Sequence, residues 1–231
     1  MRLICLPYAG GDSRSYVKWR KIFHNRLEMA PINYAGRGKR IREGMINTYQ
    51  DNIYDIFSIV KKYINNEYAI LGHSMGAIYA YELVRMIEKN NLRRPVKVFL
   101  SGARAPHVLN RMNISELSKD DFMLQMYKLG GIPKELMCND SLIDLFYPIL
   151  YSDVRNLEMY KQDKMGKTPE RIGVPIVIFY GNRDPEFSAK DVRDWDLYGG
   201  CPNVTYGFDG GHFFVLDNAM KVCQQIMNIL L

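Results

Sequence analysis

The feature that most constrains how this chain folds is the pentapeptide GHSMG at residues 72–76, which ends a short apolar run. That run, residues 68–71, is too short to form a helix and stops at a glycine, so it predicts a buried strand. Apolar residues then recur at helical spacing as far as Ile87, which predicts a helix. A serine at such a sharp strand-to-helix turn, here Ser74, has a strained backbone and an exposed hydroxyl, and the flanking glycines relieve steric clash. A tight turn without chemistry is the alternative interpretation.

Along the rest of the chain, short apolar segments alternate with amphipathic ones. The predicted strands cover residues 2–6, 29–34, 68–71, 96–100, 174–180 and 204–208, and the predicted helices cover 15–27, 49–64, the stretch from Ser74 to about 90, and 215–231. This alternation predicts an α/β fold with a mostly parallel sheet and helices on both of its faces. With 231 residues, 47% of them hydrophobic, the chain fits a single domain over residues 1–231.

The stretch from about residue 104 to 168 differs because it contains no obvious strand. Helical periodicity covers residues 115–129 and 141–161, divided by the sequence GGIP at 130–133. We expect a lid insertion of helices over one edge of the sheet, which would control access to a site there. The alternative is a set of ordinary helices packed in the main body, although an α/β crossover normally needs only one.

Four loops that follow predicted strands carry Ala9-Gly10-Gly11, Ser74, Asp184 and His212, in that order. Sites in parallel sheets form beyond the carboxyl ends of the strands, so these loops are expected to meet. A serine hydroxyl is a weak nucleophile and needs a base, a task that suits histidine near neutral pH. Of the four histidines, only His212 lies in a glycine-rich loop after a strand, so it is the predicted base. The other three are His24, His73 and His107.

A carboxylate must then hold the imidazole in the right tautomer. Asp184 follows the penultimate strand, where the Ser, Asp, His order of α/β-hydrolases would put the acid. Asp209, three residues before His212, is the alternative, and a turn-forming Asp-Pro is the interpretation of Asp184 without chemistry.

Attack on an acyl carbon creates an oxyanion, which two backbone N–H groups typically stabilise. The first predicted donor is Met75, the residue after the nucleophile. The second should come from the loop after the first strand, where Ala9 is the first choice and Gly10 the second.

The composition of the chain also bears on where the protein is located and on whether it holds a metal or a cofactor. No apolar run approaches the length of a membrane span, and the N-terminus is too short before its first turn for a secretion signal, so we expect a cytoplasmic protein without a membrane partner. The four cysteines are scattered, without the paired spacing of a zinc site or a redox dithiol. We expect neither a metal nor a cofactor.

The formal net charge of +6 is unevenly distributed. Between Arg14 and Arg42 there are nine Lys or Arg residues, and Glu28 is the one acid. Such a surface attracts an acidic partner, although a solvated face without any partner is an equally simple interpretation. Nucleic acid is not expected, because no nucleic-acid-binding motif accompanies the charge.

Taken together, these motifs resemble the type II, external editing thioesterases of nonribosomal peptide and polyketide synthases, which belong to the α/β-hydrolase superfamily. The similarity covers nearly the whole chain. The matching segments are LPYAGG at 6–11, YAGRG at 34–38, GHSMG at 72–76, GGIP at 130–133, LYSD at 150–153, GNRDP at 181–185 and GHFF at 211–214. Ala35 departs from the family, which usually has proline there.

The resemblance implies hydrolysis of acyl thioesters on the phosphopantetheine arm of an acyl or peptidyl carrier domain, which clears stalled or misprimed synthases. Carrier domains tend to be acidic, so the basic stretch, and within it Arg37, Lys39, Arg40 and Arg42, is a candidate docking surface. We expect a monomer. A general carboxylesterase or acyl-CoA thioesterase, and a catalytically silent binding scaffold, are the alternatives that share this fold.

Overall fold

The computed structural model describes residues 1–109 and 113–231. Six strands form one sheet in the order β2-β1-β3-β4-β5-β6, and every neighbouring pair is parallel. The strands are β1 Arg2–Leu6, β2 Glu28–Pro31, β3 Tyr68–His73, β4 Val98–Ser101, β5 Ile176–Gly181 and β6 Val204–Phe208. The predicted parallel sheet is therefore confirmed.

Helices cover both faces of the sheet. They are α1 Val17–Phe23, α2 Tyr49–Val60, α3 Met75–Lys89, α4 Lys119–Lys128, α5 Lys134–Met137, α6 Asp140–Lys164, α7 Phe214–Asp217 and α8 Ala219–Leu230. Successive residues of a strand point to opposite faces. In β1, Ile4 and Leu6 accordingly join the core cluster that includes α2 and α3, whereas Leu3 and Cys5 join the cluster that includes α1 and α8. This arrangement confirms the predicted α/β-hydrolase fold class.

The central strand β3 brings Ser74 to the middle of the sheet edge. All six of its residues are buried, and it lies between β1 and β4. Leu6 pairs with Gly72, and His73 pairs with Ser101, so these three strands end at about the same level. The loops that follow them therefore emerge side by side.

Between residues 104 and 168, the described part of the chain forms a helical segment with an apolar cluster of its own. Helix α6 runs through 25 residues and α4 packs near it. The buried members of the cluster are Phe122, Met123, Met126, Ile132, Leu150 and Val154. Both periodic stretches predicted from the sequence are helical here, although the first begins with a short 3-10 turn, Ile114–Glu116, and α5 was not predicted.

Several element boundaries differ from the sequence prediction, among them those of the C-terminal helix and of β2. The C-terminal helix is two helices, because the backbone leaves the helical region at Asn218, whose side chain donates a hydrogen bond to the carbonyl of Asp209. Strand β2 ends at Pro31 instead of residue 34; proline has no N–H to donate to a strand ladder. Within the described residues, none of the helices combines the length and the apolar composition of a membrane span.

Candidate active site

Ser74 occupies a strained turn between β3 and α3. Its backbone has φ 55° and ψ −121°, a left-handed conformation that is rare outside glycine, and its N–H donates to the carbonyl of Ser101 at 2.7 Å. The chain leaves no room on either side: a Cβ at Gly72 would collide with the carbonyl of Gly76, and a Cβ at Gly76 would collide with the carbonyl of Leu6. Only glycine permits this close approach of α3 to the sheet.

Three side chains from distant loops meet at this turn. The Nε2 atom of His212 lies 3.0 Å from Oγ of Ser74, and its Nδ1 lies 2.8 Å from Oδ2 of Asp184. A carboxylate can only accept, so Nδ1 carries a proton toward Asp184, which leaves Nε2 free to accept the serine proton. His212 and Asp184 are 6% and 7% exposed, so bulk water does not compete for these bonds.

The Asp184 carboxylate is held by its own loop. Its second oxygen, Oδ1, accepts hydrogen bonds from the backbone N–H groups of Glu186 at 2.8 Å and Phe187 at 3.2 Å. These two bonds hold the carboxylate in place. The Asp-Pro turn and the contact with the imidazole are thus both present at this residue.

The alternatives considered from the sequence lie elsewhere. Asp209 is exposed and forms a salt bridge of 2.6 Å with Arg183. His24 is exposed, and Nδ1 of His107 lies 2.9 Å from the hydroxyl of Tyr198. His73 is completely buried with Nδ1 2.9 Å from Oγ of Ser101.

Burial and the neighbouring His212 ring lower the pKa of His73 well below its ordinary value, so His73 is neutral near pH 7. A neutral ring adds no charge beside the candidate base. Packing is therefore the role its surroundings support.

Two backbone N–H groups remain without acceptors beside Ser74. Met75 is the first residue of α3, so its N–H is one of the unpaired donors at the positive end of the helix dipole. Ala9 lines the same cavity as Ser74, and no acceptor for its N–H occurs among residues 1–109 and 113–231. The second choice, Gly10, differs: its N–H donates to Oδ2 of Asp153 at 2.8 Å. The geometry therefore favours Ala9 over Gly10.

A buried ion pair fixes the loop that contains Ala9 and Gly10. Arg37 and Asp153 are 5% and 4% exposed, and two parallel hydrogen bonds join their side chains, one of them 2.8 Å between Nη2 and Oδ1. Asp153 belongs to α6, so this pair connects the turn after β2, the loop after β1 and the helical segment. The Asp153 charge raises the pKa of the guanidinium of Arg37 above its ordinary value, despite burial.

The basic stretch from Arg14 to Arg42 is not exposed throughout, as the sequence interpretation assumed. Seven of its nine cations are exposed, but Arg37 is buried and Arg40 is half-buried. Arg40 forms salt bridges with Asp55, at 2.6 Å, and with Glu43, and these bonds raise its pKa. Lys39 and Arg42 remain exposed on the same turn.

A cavity of about 90 Å³ opens beside Ser74 and His212. Its walls include Ala9 from the first loop and mostly apolar side chains of the helical segment. The apolar members from that segment are Ile114, Met126, Leu129, Val154 and Leu157. Two cationic side chains, Arg104 and Lys161, also line it. The described residues between 104 and 168 therefore supply seven of the 17 residues that line the cavity.

Sequence reasoning did not identify Lys161 or the pairing of Arg37 with Asp153. The segments that contain Arg37 and Asp153, YAGRG at 34–38 and LYSD at 150–153, both resemble family motifs. This resemblance is the one signal in the sequence that the two residues act together. Lys161 carries no such signal, because it is one of several lysines near the end of a long amphipathic helix.

Comparison with known proteins places the fold in a family. A family model described as a thioesterase domain matches residues 1–230. The structure of ClbQ from the colibactin NRPS/PKS pathway superposes with a TM-score of 0.89 at 33% identity, covering 98% of this chain and 95% of that one. RedJ, a thioesterase from the prodiginine biosynthetic pathway of Streptomyces coelicolor, gives a TM-score of 0.90 at 27% identity, covering 100% of this chain and 90% of RedJ.

Among curated sequences, thioesterase PikA5 of Streptomyces venezuelae is 27% identical over 232 residues, which cover 100% of this chain and 81% of PikA5. The resemblance to type II thioesterases of nonribosomal peptide and polyketide synthases is confirmed by these matches. With a family model spanning nearly its whole length, this chain belongs to the thioesterase domain family of hydrolases.

Proposed function

We propose that this thioesterase hydrolyses acyl thioesters on the phosphopantetheine arm of acyl or peptidyl carrier domains, and so edits stalled or misprimed nonribosomal peptide and polyketide synthases. Ser74 is the nucleophile, His212 the general base and acid, and Asp184 the carboxylate that orients the imidazole. The relatives ClbQ and PikA5, a protein of an NRPS/PKS pathway and a thioesterase respectively, support this assignment.

In the first half of the reaction, Oγ of Ser74 forms a bond to the thioester carbon while Nε2 of His212 takes the hydroxyl proton. The N–H groups of Met75 and Ala9 donate to the oxyanion that develops. When the tetrahedral intermediate collapses, the carbon–sulfur bond breaks and the carrier thiol leaves with the proton from His212. The acyl group is then an ester of Ser74.

In the second half, His212 takes a proton from a water molecule as the water oxygen attacks the ester carbon. The same two backbone donors stabilise the second oxyanion. Collapse breaks the bond to Oγ, and the proton on Nε2 returns to Ser74. The products are a free carboxylic acid and the regenerated enzyme, without any cofactor.

The observation that carries this proposal is the hydrogen-bonded series from Asp184 through His212 to Ser74, with contacts of 2.8 and 3.0 Å beside a cavity. The strained backbone at Ser74 adds support, because strain of about 1–3 kcal/mol persists only where surrounding structure enforces it. A silent scaffold would have no use for either feature.

We also propose that the helices between residues 104 and 168 form a lid within one domain, 1–231. They have an apolar cluster of their own, and their side chains line part of the cavity. An acidic carrier docked beside the exposed Lys39 and Arg42 would deliver its arm past this segment. Monomeric state and a cytoplasmic location remain predictions from the sequence.

The experiment compares one acyl group on three donors: a carrier domain, coenzyme A and a simple oxygen ester. We expect the highest kcat/KM for the carrier-bound thioester. In Ser74→Ala, kcat should fall by about 10⁴- to 10⁶-fold, as in enzymes that lose a triad nucleophile.

The matched control is Ser58→Ala, because Ser58 is exposed on α2 and donates only to the carbonyl of Asp55. It should keep full activity. Equal or higher kcat/KM for the oxygen ester would identify a general carboxylesterase, and activity that survives in Ser74→Ala would refute the mechanism.

A further inference from the structure

The cavity beside Ser74 contains a buried lysine that the reaction described above does not use. Lys161 is 3% exposed and lines the cavity together with Val154 and Leu157 of the same helix. These three positions are spaced by three and four residues, so they lie on one face of α6. An ammonium group in a small and otherwise largely apolar pocket is costly to bury, and its presence calls for a physical reason.

The surroundings of Lys161 leave most of its hydrogen-bonding capacity unused. Its Nζ donates to the carbonyl of Val108 at 3.1 Å, and it forms no salt bridge with any residue in 1–109 or 113–231. A lysine ammonium has three protons to donate. Burial, reinforced by the nearby positive charge of Arg104, lowers the pKa of Lys161 to about 7, although Glu186 and Asp191 act in the opposite direction.

The neighbouring cation differs in this respect. Arg104 donates through Nε to the carbonyl of Glu186 at 2.8 Å and through Nη1 to the carbonyl of Leu109 at 3.2 Å, and it lies 3.5 Å from a carboxylate oxygen of Asp191. The guanidinium of Arg104 is therefore engaged in hydrogen bonds and an ion pair within the protein. Lys161 is the cavity cation with donors to spare.

The position of Lys161 along α6 sets where a ligand group would meet it. Asp153, on the same helix, contacts Gly10 next to the candidate oxyanion donor Ala9. Lys161 is eight residues further, so its backbone lies about 12 Å along the helix axis. Side chains on a helix lean toward its N-terminus, which directs the ammonium back along the cavity toward the reacting end.

We propose that Lys161 forms an acyl-group subsite that selects thioesters whose acyl chain carries a carboxylate at its far end, that is, half-thioesters of dicarboxylic acids. This inference rests on the proposed thioesterase function and specifies its substrate class. The bound carboxylate accepts the unused ammonium protons, which neither Glu186 nor Asp191 contacts. A purely aliphatic chain would fill the same space but offer the Lys161 ammonium no hydrogen-bond acceptor.

The test uses two small thioesters of matched shape on the same N-acetylcysteamine thiol. Glutaryl ends in a carboxylate, and 5-methylhexanoyl has two methyl groups in place of its oxygens. In Lys161→Met, kcat/KM for the glutaryl thioester should fall about 10- to 100-fold, the usual range for a lost charge-assisted hydrogen bond. The value for the 5-methylhexanoyl thioester should stay equal or rise, after uncatalysed hydrolysis is subtracted from both.

The matched control is Lys164→Met, which removes the same charge from the same helix. Lys164 pairs with Glu82 at 3.2 Å and does not line the cavity, so its loss should leave the ratio of the two kcat/KM values unchanged. If Lys161→Met lowers both substrates equally, Lys161 has a structural role only and the inference is wrong while the thioesterase function stands. If the wild type hydrolyses neither thioester nor its carrier-bound form, both fail.

A second measurement needs no variant. Because kcat/KM reports the titration of the free enzyme, the ratio of glutaryl to 5-methylhexanoyl kcat/KM should fall about 10-fold between about pH 6 and about pH 9, as Lys161 loses its proton. Any pH effect on the triad acts on both reactions and cancels from the ratio. A ratio that does not change with pH would overturn the proposed subsite.

Discussion

Arg37 and Asp153 show how a buried charge can organise the reacting end of the site. Each is nearly inaccessible to water, and the aspartate accepts bonds both from the guanidinium and from the N–H of Gly10. Removing one member of such a pair leaves the other charged and unpaired, whereas removing both replaces the pair by apolar packing. Stability and loop position therefore depend on the two residues in different ways.

A double-mutant cycle of Arg37 and Asp153 tests this difference. Arg37→Met should lower the free energy of unfolding by about 3–5 kcal/mol, and Arg37→Met with Asp153→Leu should recover part of that loss. Asp153→Leu alone and the double variant should both show a reduced kcat, because the loop of Ala9 and Gly10 loses its anchor. Urea unfolding and steady-state kinetics measure the two effects. Recovery of stability and kcat together would contradict the positioning role.

A second prediction concerns Lys161 and the pH dependence of stability. The folded protein lowers the pKa of this lysine from its ordinary value of 10.5 to about 7, so between these values the unfolded chain binds more protons. Stability of the wild type therefore rises with pH through that window. Lys161→Met lacks this penalty, so its stability advantage should be largest at and below about pH 7, up to about 5 kcal/mol, and shrink toward about pH 10.

Urea unfolding of both proteins across the window measures this difference, with Lys164→Met as the reference for a lysine lost from the same helix. A stability difference that is constant with pH would mean that folding does not change the pKa of Lys161.

The sequence predicts which side chains meet but not which of them are held in place by buried charges. Ser74, Asp184 and His212 each follow a strand with clear apolar character, so their convergence is a consequence of parallel topology. Arg37 and Asp153 are separated by 116 residues, and no local pattern encodes their contact. The catalytic roles assigned to the three side chains stay predictions.

Among the secondary-structure elements, the approach of α3 to the sheet depends on glycine at two positions. The backbone of β1 lies directly against Gly76, so a side chain there has nowhere to go without moving a strand. The turn that presents Ser74 is therefore a property of packing between elements as well as of its own strained backbone.

We predict that Gly76→Ala unfolds the protein or destabilises it by several kcal/mol and abolishes thioester hydrolysis, since the collision is with main-chain atoms. Gly44→Ala is the matched control: a Cβ there meets nothing within 4 Å. Its effect on stability should stay within about 0.5 kcal/mol. Thermal unfolding of both variants decides the matter, and a stable, active Gly76→Ala would contradict the close packing of α3 on β1.

The elements that the sequence predicts best are those with a complete local signal. Strands β1, β3, β5 and β6 are short apolar or alternating runs bounded by turns, and their limits agree closely. The break at Asn218 was missed because the apolar stripe continues across it, and the reason for the break is a side-chain bond to Asp209, nine residues away. The end of the first helix was also missed: the predicted helix runs to residue 27, but α1 ends at Phe23 because the backbone of His24 has φ 51°.

On the scale of the whole molecule, the surface that remains positive is smaller than the sequence suggests. Lys39 and Arg42 stay exposed on the turn that contains Arg37, and through Arg37 and Asp153 this turn is connected to the loop beside Ser74. An acidic carrier domain that docks here would have its arm close to the cavity.

We therefore predict that Lys39→Glu with Arg42→Glu raises KM for an acyl-carrier substrate about 10-fold at low ionic strength and leaves KM for an N-acetylcysteamine thioester unchanged. Lys89→Glu is the control, because it reverses an exposed charge at the far end of α3, about 20 Å along the helix from Ser74. Equal changes in KM for both substrates, or an equal effect of Lys89→Glu, would exclude this surface from carrier docking.

Mass spectrometry of the protein, quenched during turnover of an acyl-carrier substrate, shows whether Ser74 takes the acyl group from the carrier. We expect a mass increase equal to the acyl group, located on the peptide that contains Ser74 and missing in Ser74→Ala. An adduct on another residue during turnover by the wild-type protein would contradict this mechanism. So would turnover without any adduct, provided that the substrate deacylates slowly and the quench is fast enough to trap an acyl-enzyme.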